Sequence, residues 1–67
     1  MNKFAILHYQ LRCAMERERP GPEVKRAANF VLLALDACAH NKDTWMIGPL
    51  AKYADDLERA MRIERAT

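Results

Sequence analysis

Apolar residues recur every three or four positions through most of this chain, the spacing that places side chains on one face of an α-helix. Phe4, Leu7, Leu11, Ala14 and Met15 form a first stripe, and Val24, Ala27, Ala28, Val31, Leu35 and Cys38 form a second. Leu50, Tyr53, Ala54, Leu57, Ala60 and Met61 form a third. No stretch carries β-branched alternation long enough for a strand, and the segments are rich in Ala, Leu, Met, Arg and Glu, all strong helix formers. The class predicted is all-α.

The breaks are equally legible. Pro20 stops the first helix, because its ring cannot continue a helix and it drives the preceding residue out of the α region. Gly21-Pro22 and Gly48-Pro49 both suit a helix start, a permissive cap followed by proline at the first helical position. Asn2 is placed to cap the first helix. Helices are therefore expected over about 3–18, 22–40 and 49–65. The connector is polar at Asn41-Lys42-Asp43-Thr44 and apolar at Trp45-Met46-Ile47, and it is too short for a domain boundary. Residues 1–67 read as a single helical domain.

Each helix has further apolar positions outside its main stripe, except the third. Ile6, Tyr9 and Cys13 lie on another side of the first helix; Phe30, Leu33, Ala34 and Ala37 lie on another side of the second. Lys25, Asn29, Asp36 and His40 mark the strip of the second helix that meets water. The second helix thus reads as central and the third, with one charged face, as outer. The expected architecture is a small helical hairpin or three-helix bundle completed by homodimerisation, with Ile6, Cys13, Phe30, Leu33 and Ala37 at the dimer interface.

Size sharpens that expectation. Ordering 67 residues opposes folding by roughly 1.5 kcal/mol per residue, a sum that so small a core barely offsets. Disulfides, a metal or oligomerisation are the usual remedies. Helices joined by a tight turn run antiparallel, so level residues across Arg19-Pro20-Gly21 have numbers adding to about 41. Cys13 and Cys38 are then displaced by about ten residues, ~15 Å along the axis, too far for a disulfide within the chain. Both read as small buried hydrophobes. Lys3 before Phe4-Ala5-Ile6-Leu7 hints at a signal peptide, but His8, Gln10 and Arg12 interrupt it. The longest apolar run, Phe30 to Leu35, is far below the roughly 20 residues of a membrane span. A reducing cytoplasm is the expected compartment.

Candidate chemistry is sparse. With glycine only at positions 21 and 48, no phosphate-binding loop or dinucleotide fingerprint is present. His8 and His40 have no second metal ligand at helical spacing, and Asp55, Asp56 and Glu58 have Lys52, Arg59 and Arg62 three or four residues away as ordinary ion-pair partners. Serine is absent, and neither Thr44 nor Thr67 has a base placed beside it by a motif. No catalytic residue, cofactor or metal is expected.

Binding is the better-supported activity. Arg12, Arg17, Arg19, Lys25 and Arg26 gather near the first turn, which suggests nucleic acid, but Glu16, Glu18 and Glu23 are interleaved and the net charge is only +2. Aromatics, methionine and arginine concentrate at the centres of protein interfaces, which nominates Tyr9, Arg12, Met15, Trp45 and Met46 as partner anchors. The expected function is a non-enzymatic protein-interaction module that inhibits or adapts a larger cytoplasmic protein. A small dimeric nucleic-acid-binding or transcription-regulating protein is the first alternative, and a structural helical subunit of a larger complex the second. In size and alanine- and arginine-rich helicity the chain resembles the small regulatory proteins of bacteriophages and other mobile elements, a resemblance of genre that rests on no particular residue.

Overall fold

Asn2 starts the first helix as its position predicts: its side-chain oxygen accepts the Phe4 N–H at 2.8 Å. The computed structural model describes residues 2–40 and 47–66, and places in them three α-helices, α1 (Lys3–Glu18), α2 (Pro22–His40) and α3 (Ile47–Ala66), with no strand among the described residues. The all-α, three-helix fold read from the periodicity is the fold observed.

Pro20 ends α1 as expected, through a left-handed cap. Arg19 has φ 47° and ψ 60°, and its N–H donates to the Met15 carbonyl at 3.1 Å. That conformation disfavours a residue with a Cβ by about 1 kcal/mol. Arg19→Gly relieves it, partly offset by glycine's greater freedom in the unfolded chain, so a net gain of about 0.5 kcal/mol is expected, read as a rise of roughly 2–4 °C in the thermal midpoint. An unchanged or lower midpoint contradicts the strain argument.

The two Gly-Pro pairs behave differently. Pro22 is the first residue of α2, and the Gly21 carbonyl accepts the Lys25 N–H at 3.0 Å. The Gly21 N–H donates to the Glu64 carboxylate, which ties the end of α3 to the start of α2, where the helix dipole favours negative charge. A side chain at position 21 meets that carboxylate. By contrast, α3 begins at Ile47, two residues before Pro49. Gly48 is therefore inside the first turn and not the cap the pattern predicts. Proline is tolerated there because first-turn N–H groups have no intrahelical acceptor in any case.

The central role expected of the second helix is observed. Val24, Ala28, Val31, Ala34, Leu35 and Cys38 of α2 are buried, α3 contributes Leu57, and α1 has no fully buried residue. α1 and α3 each pack against α2 and not against one another. Asn2 Nδ2 donates to the Ala39 carbonyl at 3.2 Å, the level pairing predicted for the α1–α2 hairpin. Phe30 stacks on Tyr53 at 5.5 Å on the α2–α3 side. The Cα atoms span 40 × 22 × 14 Å, wider and deeper than the roughly 5 Å Cα diameter of one helix, so the three helices do not lie flat. α1 and α3 both pack on the buried stripe of α2, and the opposite side of α2 carries no helix among the described residues.

Candidate functional site

An apolar groove follows from that arrangement. α1 and α3 run parallel to each other along α2 with no close backbone approach between them, and the gap is floored by Val31 and Leu35 of α2. Leu7 and Leu11 form one wall, Leu50 and Ala54 the other, and the groove holds about 330 Å³. Each helix contributes two apolar residues one turn apart, so the groove offers two successive rungs of side chains. Leu7 is 48% exposed and Ile47, at the start of the α3 wall, is 46% exposed. Partly packed around the same core are Phe4, Met15, Tyr53, Ala60 and Met61.

Charges of both signs border the groove. Lys3, Arg17 and Glu18 lie on or beside the α1 line of Leu7 and Leu11, and Glu58, Arg62 and Arg65 continue the line of Ala54 on α3. Glu58 is held by Arg62 at 2.5 Å, an exposed pair along the helix contributing about 0.3–0.5 kcal/mol. It is the pair that forms among the several expected from Asp55, Asp56 and Glu58.

On the opposite broad face, α1 and α2 meet in a longer, mixed seam. Arg12, Met15, Glu16, Arg19, Lys25 and Leu32 line a cleft of about 470 Å³. Asn29 and Leu32 carry it into a second cleft of similar volume beside His8, Leu33 and Asp36. His40 Nδ1 lies 2.9 Å from the Asp36 carbonyl and 3.2 Å from its carboxylate.

Of the anchors chosen from the sequence, Arg12 and Met15 share this cleft, Tyr9 is 70% exposed and does not line it, and Trp45 and Met46 lie outside the described residues. Of the residues assigned to the dimer interface, Ile6 and Cys13 lie with Tyr9 on the side of α1 opposite Phe4, Leu11 and Met15, facing away from α2. Leu33 is 67% exposed on the α2 seam, whereas Phe30 is half used by its stack on Tyr53 and Ala37 is half-buried. The second apolar set of α2 is thus divided, with Ala34 fully buried and Leu33 in solvent. Both cysteines are free.

The groove residues themselves were legible only as buried stripe positions. Leu7 and Ala54 are exposed because their stripes point into a gap that no helix fills. Among the described residues no His, Cys, Asp and Glu side chains cluster as a metal site, no polar side chain is buried, and no helix is long and apolar enough to cross a membrane.

The fold and surface define a small all-α protein with an apolar groove between α1 and α3 and an amphipathic seam between α1 and α2. No protein-family model, curated protein or solved structure matches the chain.

Proposed function

We propose that this chain is a non-enzymatic protein-interaction module whose α1/α3 groove holds a helix of a larger protein and so inhibits or adapts it. The observation that supports this reading is the groove lined by six apolar side chains and open to solvent between two parallel helices. A groove of that form accepts the apolar ridge of an amphipathic helix. Lys3, Arg17, Glu18, Glu58, Arg62 and Arg65 border the groove with both signs of charge, so the apolar ridge rather than the charge of its flanks carries the recognition. Nucleic acid is the poorer fit, because Arg12, Arg19 and Lys25 share their cleft with Glu16 and the chain carries a net charge of only +2.

The test is methyl NMR with synthetic amphipathic helical peptides that carry a leucine ridge and either glutamate or lysine flanks. Peptides that carry the ridge are expected to shift the methyls of Leu7, Leu11, Val31, Leu35 and Leu50 whichever flank they have. Leu50→Lys blocks the shifts while helicity is retained. A panel in which no peptide moves these methyls removes the reading.

A further inference from the structure

The α2 strip along the seam has an order that a two-fold axis can use. It runs from Lys25 through Asn29 to Leu32 and Leu33, and then to Asp36: cation, amide, two leucines, carboxylate. Lys25, Asn29, Leu33 and Asp36 are exposed, Leu33 to 67%, and Leu32 is half-buried, with a cleft beside the two leucines. We infer that a second copy of this chain covers this face, its α2 antiparallel to the first α2 about an axis between Leu32 and Leu33.

The inference rests on self-complementarity. An isologous interface requires each half of the patch to fit the other half. With the axis between Leu32 and Leu33, each Leu32 faces Leu33 of the second copy, and each Asn29 faces Asp36 of the second copy. Lys25 is one turn from Asn29 on the same strip, about 6 Å along the axis, within reach of that Asp36 by its long side chain. Arg12 and Arg19 add positive charge at the Lys25 end, where Glu16 is the one carboxylate of the cleft, and that end faces the Asp36 carboxylate of the second copy. Four leucines are thereby removed from water at the centre, with one Lys25–Asp36 pair on each side. A dimer built this way leaves the two α1/α3 grooves facing outward in opposite directions.

Light scattering on the full chain tests the arrangement. At micromolar concentration the wild type is expected at about twice its 7.7 kDa mass, and Leu33→Glu at the monomer mass with unchanged helicity. Lys25→Glu and Asp36→Lys each set like charges face to face twice per dimer, so each raises the dimer dissociation constant by about tenfold or more, and the double variant restores it. All three positions are exposed, so loss of folding does not explain the losses, and circular dichroism verifies this. A wild type of monomer mass overturns the inference, as does a double variant no tighter than the singles. A dimer broken by Leu50→Lys and untouched by Leu33→Glu seats the second copy in the groove and overturns it equally.

Discussion

Leu35→Ala is expected to destabilise the chain by about 3 kcal/mol. Leu35 is 4% exposed and belongs to the cluster of Val24, Ala28, Val31 and Leu57 that makes up most of the core. Truncation removes three buried carbons and leaves a cavity in a core of few buried residues. Stability of roughly 0.05–0.15 kcal/mol per residue gives a chain of 67 residues about 3–10 kcal/mol in all. The loss is a large share of that. Thermal unfolding followed by far-UV circular dichroism should show the midpoint falling by roughly 12–24 °C; a fall of less than about 4 °C means that the core does not depend on this contact. Leu35 also floors the groove, so a binding defect in this variant says nothing separate about binding. Leu50→Lys, at the wall, is the cleaner probe.

The second large effect comes from the opposite error, too much volume. Ala28 is 0% exposed and lies in the same cluster, so its single methyl is fully enclosed by the surrounding core. Ala28→Leu forces an outer helix away or bends α2, at a cost of about 2 kcal/mol. Ala51→Leu, on the exposed side of α3, changes stability by less than about 0.5 kcal/mol and serves as the control. Urea unfolding should place the Ala28→Leu midpoint well below both the wild type and the control, with the same dependence on denaturant. Equal midpoints for the two leucine variants show that the helices at position 28 have room to spare.

Much of the fold was legible before any coordinates. The apolar period, Pro20, Asn2 and Gly21-Pro22 give three helices whose first two are bounded within a residue, and the polar strip at Lys25, Asn29, Asp36 and His40 is exposed as read. The error at Gly48-Pro49 has a simple cause. Proline is allowed anywhere in the first turn, so it bounds a helix start without naming its first residue.

The site was much less legible. Leu7, Leu11, Leu50 and Ala54 carry the same spacing as truly buried positions, and spacing states only which residues share a face. Whether that face is covered depends on a third helix that packs on α2 with no close backbone approach to α1. Arg12 and Met15 were singled out for their residue types and do share a cleft; Tyr9, Ile6 and Cys13 turn away from it on the far side of α1.

What the amino-acid sequence determined by itself is local: helix number, the central place of the second helix, and the lack of a spacing that brings Cys13 and Cys38 into bonding range. These follow from periodicity, chain stiffness and turn geometry, which act over a few residues. The tertiary structure alone decided that α1 and α3 both pack on α2, that an apolar groove runs between them, and that Leu33 stands in solvent while Ala34 beside it is buried. Those outcomes depend on how far apart two helices sit on a third, a balance of side-chain volumes across elements distant in the chain, and no one-dimensional pattern records that distance.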